Sequence, residues 1–253
     1  MTYLNTLRDY MHASGYTLRD RNINILKRSI LSLAPDNPAY KPVIVNNNTQ
    51  YVVVNSKDDY LVKELVCLPD ERIPFGSLVM FSNMTWLNVK TDVDDEIYSK
   101  CEIHLCNCKL RWKDKYGTLF EYDGVAEDAT KYSEGVESNQ YMRIAEFQIK
   151  VKVRLDEISA NLKRDMRFII DADKYISTIL SANNRPFVFR VTRRNIITGT
   201  FADEGYVEIT LVQDQWIEGK DDPVNMIAYQ VFEDGNLLED ISNSSIGNET
   251  GWL

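Results

Sequence analysis

The run EFQIKVKVRL, residues 146–155, constrains the fold more than any other stretch of the chain. Phe147, Ile149, Val151, Val153 and Leu155 fall on one parity, and Gln148, Lys150, Lys152 and Arg154 on the other. An extended strand sends alternate side chains to opposite faces, whereas a helix would scatter these apolar residues around its circumference. A chain carrying this pattern has to build a sheet with one face covered. Other segments repeat the requirement: PVIV and YVVV flank the polar turn NNNTQ, and LVMF and WLNV flank SNMT, both hairpin patterns. A strand ending in LRW passes through KDKYG into TLFEY, and RFII, PFVFRV and GYVEITLV follow with turn residues between them.

One segment departs from this period. In TLRDRNINILKRSILSL, Thr17 and Asp20 fit a capping box, Leu18, Asn22, Leu26, Ile30 and Leu33 recur at helical spacing, and Pro35 and Pro38 end the run. A shorter helix is expected over residues 1–15, ending at Gly15. The fold class expected is therefore mainly β, with one or two small β-barrel or sandwich units preceded by an N-terminal α-helix. The organisation expected is a helical arm at 1–40, a first barrel-like unit at 41–125, a polar linker at 126–140, a second β unit at 141–216 and an acidic extension at 217–253. LVMFSNMTWLNV before EIHLCNCKLRW is loosely echoed by RFII and PFVFRV before GYVEITLV, as duplication of a small barrel would produce.

Charge separates the function classes. Residues 200–253 hold twelve acids and one base, Lys220, so the net charge of −9 is concentrated there. Ordinary nucleic-acid binding needs Lys and Arg against phosphates, and this balance argues against it. The basic stripe Lys150, Lys152 and Arg154 would suit a single-strand-binding barrel only with aromatics on its face, and its own strand has none. It is expected to be a solvent face that discourages edge pairing. The basic residues Arg19, Arg21, Lys27 and Arg28 are expected on a solvated side of the helix that complements the acidic C-terminal segment. The sequence has no apolar leader and no long uncharged apolar run, which predicts a cytosolic protein with no membrane span.

Cys101, His104, Cys106 and Cys108 lie close together in the sequence and raise the question of a metal or redox centre. On a strand, residues two apart are separated by about 6.6 Å. Two thiolates on one zinc must lie within about 4 Å of each other. Cys67 stands alone in the sequence, His12 is the other histidine, and C-x2-C knuckles are absent. The thiols are expected to fill core space beside Leu110 and Trp112 on one buried strand. TDVDDE has Ile97 where a calcium loop needs glycine, and no phosphate loop, zinc helix or serine elbow is present. No cofactor, metal or catalytic residue is expected, and the chain is read as a non-enzyme.

TLRDR, the Asn37–Tyr40 segment NPAY, PFGSLVMFSNMTWLNV and LCNCKLRWKDKYG together resemble a family of tailed-bacteriophage virion proteins, the head-tail connector or head-closure (stopper-like) proteins. The shared features are Gly76 opening a strand, Trp86 beginning the next, and Cys106, Asn107, Leu110 and Trp112 in a Cys-Asn-x-x-Leu-x-Trp segment entering a turn. The likeness continues weakly through RFII and EITLVQD and fades beyond about Gly219. The resemblance implies a homo-oligomeric ring in the virion neck, assembled in the host cytoplasm. Its partners would be portal or adaptor and tail-completion proteins, and DNA would pass its lumen without specific binding. A collar or tail-terminator place is the alternative, and an OB-like nucleic-acid-binding barrel is a second one. An acidic lumen would repel the passing duplex. The stripe of Leu26, Ile30 and Leu33 would then serve as an oligomer arm.

Overall fold

In a computed structural model, residues 15–92, 96–114, 116–128, 148–170, 187–201 and 203–230 are described. The chain is mainly β, with one helix followed by two barrel-like sheets. Helix α1, Leu18–Leu33, begins with the expected capping box: Asp20 N–H donates to Thr17 Oγ1 at 3.1 Å, and Thr17 N–H donates to the Asp20 carboxylate at 3.0 Å. A short 3-10 turn, Ala34–Asp36, ends it and leads into the first strand.

The first unit is a closed barrel of β1 (Tyr40–Val45), β2 (Asn48–Ser56), β3 (Val62–Cys67), β4 (Leu78–Phe81), β5 (Met84–Thr91) and β6 (Lys100–Leu105). Around the barrel the order is β1-β2-β3-β6-β5-β4, with β1 and β4 closing it at Ile44–Met80 and Val45–Val79. Both expected hairpins form. Asn46 and Asn47 have φ of 48° and 70°, and Ser82 and Asn83 have 53° and 59°. Two successive positive φ values make the tight turn whose twist matches paired strands, and Asn tolerates that region best among residues with a Cβ. Val43, Val45, Val52, Leu65, Val79, Trp86 and Ile103 fill the interior.

The second sheet contains β7 (Cys108–Lys113), β8 (Leu119–Asp128), β9 (Gln148–Arg154), β10 (Arg167–Ile169), β11 (Val188–Asn195), β12 (Thr200–Phe201) and β13 (Glu204–Asp214). Its order is β10-β11-β13-β9-β8-β7, with β12 on β13. The alternation in β9 appears as expected, with Val151 and Val153 fully buried; Phe147 lies outside the described residues. The sheet curls until its edge strands meet through side chains, Trp112 of β7 standing edge-on to Phe168 of β10 at 5.8 Å. Leu110, Val191, Val207, Ile209 and Leu211 pack in the same core.

Several boundaries differ from the sequence expectations. The change of sheet falls between Leu105 and Cys108, not at 126–140, so β7 and β8 belong to the second unit. EIHLCNCKLRW is thus two strands in two sheets, and the apparent echo matches no single unit. β9 is an internal strand, not an edge: it pairs with β8 and β13. The expected acidic extension also begins as folded structure. Asp221 is completely buried against Arg167, and Met226 and Ala228 pack with Ile169 and Val188. Residues 1–14, most of the 126–140 linker, 93–95 of TDVDDE and 231–253 lie outside the described residues.

Candidate functional site

Two features stand out as functional: the junction between the sheets and the exposed side of α1. At the junction the backbones almost touch. Gly76 has φ +73°, and a Cβ placed there would fall 1.8 Å from the carbonyl oxygen of Gly205. Only glycine allows both the positive φ and that approach. The Phe75 and Tyr206 rings meet edge-on at 5.5 Å, Arg72 pairs with Glu204, and Phe75 N–H donates to the Glu204 carboxylate at 2.9 Å. Asn88, fully buried on β5, holds the segment carrying Phe75 and Gly76 from behind. Its side-chain amide donates to Pro74 O at 2.9 Å and to Thr91 Oγ1 at 2.8 Å, and its backbone C=O accepts from Gly76 N–H at 2.9 Å.

A half-buried charge cluster completes the junction. His104 of β6 faces Glu102 through Nε2 at 3.0 Å and Glu127 of β8 through Nδ1 at 3.5 Å. Lys152 of β9 reaches Glu127 at 2.7 Å and lies over the Tyr206 ring at 5.9 Å, and Lys57 pairs with Glu102. Burial would lower the His104 pKa, but hydrogen bonds with Glu127 and Glu102 outweigh it and hold the imidazole above its ordinary value. Its hydrogen bond with His104 takes the Glu127 carboxyl down to about 2 against the opposing effect of burial, and Lys152 adds to this. Lys152 is therefore not on a solvent face, and an aromatic ring does share its side of the sheet, supplied by the neighbouring strand. Its charge is directed at Glu127, which leaves the stripe poorly suited to phosphates.

Of the motif residues, Trp86 is buried in the first barrel, its indole N–H directed to Phe81 O at 3.3 Å. Cys106 and Asn107 form the link between sheets, and Asn107 clamps Ala126 from both sides: its amide donates to Ala126 O at 3.0 Å and its carbonyl accepts from Ala126 N–H at 2.7 Å. Cys108, Leu110 and Trp112 share the core face of β7, as expected, but Cys106 is off the strand. Burial raises the Cys106 thiol well above its ordinary value and pushes that of Cys108 up to about 12. Cys67 is not alone in space. It meets Cys101 inside the barrel, and the thiol–thiol hydrogen bond and burial raise the Cys101 pKa. Among the described residues no three His, Cys, Asp or Glu side chains converge as a metal set.

Helix α1 buries none of its 16 residues. Arg19 pairs with Glu96 and Lys27 with Asp70, both at 2.6 Å, so its basic residues answer loops of the first barrel, not the C-terminal acids. Leu26 and Leu33 are exposed; Ile30 turns partly toward the barrel, so the stripe of Leu26, Ile30 and Leu33 is not one surface. Leu18 and Ile25 join Leu26 and Leu33 on the outer side. Sequence reasoning missed Asn88, His104, Glu127 and Gly205, because their roles depend on which strands become neighbours.

No protein-family model and no curated protein matches the chain. Among solved structures, it aligns with MrkH, described as a c-di-GMP-dependent transcription regulatory factor, at 9% identity and a TM-score of 0.24, over 76% of this chain and 83% of that one. Apo MrkH of K. pneumonia aligns at 11% identity and 0.25 over 79% and 88%, and its c-di-GMP complex at 12% and 0.25 over 79% and 89%. At such TM-scores the likeness carries no argument about this chain.

Proposed function

We propose that the chain is a non-enzymatic structural connector of a tailed-phage neck, working as a ring of identical subunits between portal or adaptor and tail-completion proteins. The observation that carries this reading is α1, which buries none of its own residues and holds an apolar side open to a neighbour. Isolated apolar residues on a surface are ordinary, but a contiguous apolar side of a helix marks an interaction surface. The glycine-to-glycine junction suits a part that must hold its shape between other parts. Motif residues Gly76, Trp86, Asn107, Leu110 and Trp112 serve this shape, through backbone approach, core packing or the link between sheets.

The test is the mass of the purified chain by sedimentation, with negative-stain images of the chain alone and mixed with phage heads or tails. Annular particles that join heads or tails are expected. A chain that stays monomeric at all concentrations and joins neither overturns the reading.

A further inference from the structure

The outer face of the first barrel carries a second apolar surface that nothing in the chain covers. Tyr51 of β2 stands opposite Pro42 of β1, and Ile44 of β1 stands opposite Met80 of β4. All four are exposed, Tyr51, Ile44 and Met80 by 41–50%. They form a strip across three neighbouring strands, on a face that a closed barrel in water ordinarily fills with polar side chains. The apolar side of α1 is similar in kind. Leu18, Ile25, Leu26 and Leu33 are 49–75% exposed and recur at i, i+7, i+8 and i+15, which places them on one side of the helix.

We propose that these surfaces are the two halves of one interface between copies of the chain, the helix side of one subunit lying on the β2-β1-β4 strip of the next. Within a single chain neither covers the other, since both stay exposed. The ion pairs Arg19–Glu96 and Lys27–Asp70 hold the helix to loops flanking β6, the strand across the barrel from β1. Donor and acceptor are therefore different surfaces, and a contact between unlike surfaces propagates head to tail until it closes as a ring. Charge favours the pairing. Arg28 is exposed beside the helix surface, while Asp58 and Asp59 are exposed in the turn that follows β2 at the end of the strip. Size fits as well: 16 residues give a helix about 24 Å long, enough to cross three strands spaced about 4.8 Å apart. This inference rests on the ring reading and names the surfaces that would build it.

Two single variants of the full chain test it. Leu26→Glu spoils the helix side and leaves the strip, and Ile44→Glu spoils the strip and leaves the helix. Each alone should sediment as a 29.3 kDa monomer. Mixed in equal amounts they should form one-to-one dimers and nothing larger, because one intact helix side meets one intact strip and the chain of contacts stops there. Leu33→Glu and Met80→Glu form a second pair should either first variant misfold. Variants that stay as large as the wild type overturn this interface and leave the ring reading standing. Monomers that do not associate on mixing overturn the head-to-tail pairing in favour of a like-with-like contact. A wild-type chain that is itself monomeric overturns both readings.

Discussion

The two sheets solve the same problem, closure, by different means. The first barrel is sealed by backbone hydrogen bonds between β1 and β4, so its closure depends on no particular side chain. The second sheet leaves β7 and β10 as edges and brings them together with Trp112 on Phe168. It is then strapped by residues 215–230, which return to Arg167. That guanidinium meets Asp221 at 3.0 Å and Asp214 at 2.9 Å and donates to the carbonyls of Gln215 and Tyr229. Closure by backbone pairing spreads its stability over a whole ladder, while closure by side chains concentrates it in a few residues.

The sharpest way to break this comparison is Arg167→Ala. Removing one partner of a buried ion pair leaves Asp221 charged and unpaired, which costs about 3–5 kcal/mol. Hydrogen exchange should show the loss in β7 to β13 with β1 to β6 still protected; equal loss in both would mean that the sheets unfold as one unit. Gly76→Ala comes next, at about 2 kcal/mol, because the new methyl meets Gly205 and the backbone sits at positive φ. Its effect should appear as faster exchange at the junction in both sheets, and a neutral result would show that the close approach can relax without cost.

Cys108→Ala should cost about 1 kcal/mol in a denaturant titration through lost burial, with the loss confined to the second sheet and no rescue by zinc. Stoichiometric metal in the purified protein would contradict this. A pH series tests the charge cluster. His104 has its pKa raised in the fold, so its contribution is complete below about pH 6.5 and fades as pH rises through the higher folded value. Glu127, lowered to about 2, contributes above its ordinary range and loses that contribution only as pH falls toward 2. The thermal midpoint of His104→Gln should therefore lie below the wild type at pH 6 and approach it at higher pH. A constant gap would mean that the ring matters by shape, not charge. The smallest effect belongs to deletion of residues 1–34, expected to leave the thermal midpoint nearly unchanged while abolishing association, since α1 contributes no buried residue.

What was legible in the sequence is local. Period two in β9, the asparagines of the two tight turns and the Thr17–Asp20 cap each rest on a few consecutive residues, and each appears in the structure. The step from one sheet to the other at Cys106 and Asn107 has neither glycine nor proline to mark it. The polar run at 126–140 imitated a boundary better than the real one did. Arg167 and Asp221 are 54 residues apart, and Glu102, His104 and Glu127 meet only because β6 lies beside the β8-β9 pair. Such contacts depend on topology, which composition and spacing do not encode. The exposed side of α1 was half legible: periodicity indicated an apolar stripe, but Arg19 and Lys27 chose which side turned inward.

The link at Asn107 bears on mechanics. A connection this short, with its side chain bonded to both backbone groups of Ala126, has the bending stiffness of a strand and not the slack of a tether. Together with Gly76 against Gly205, it gives the subunit two fixed points of attachment between its halves. A torque applied to the helix-bearing barrel would therefore rotate the second sheet with it, so the molecule behaves as a lever without a hinge.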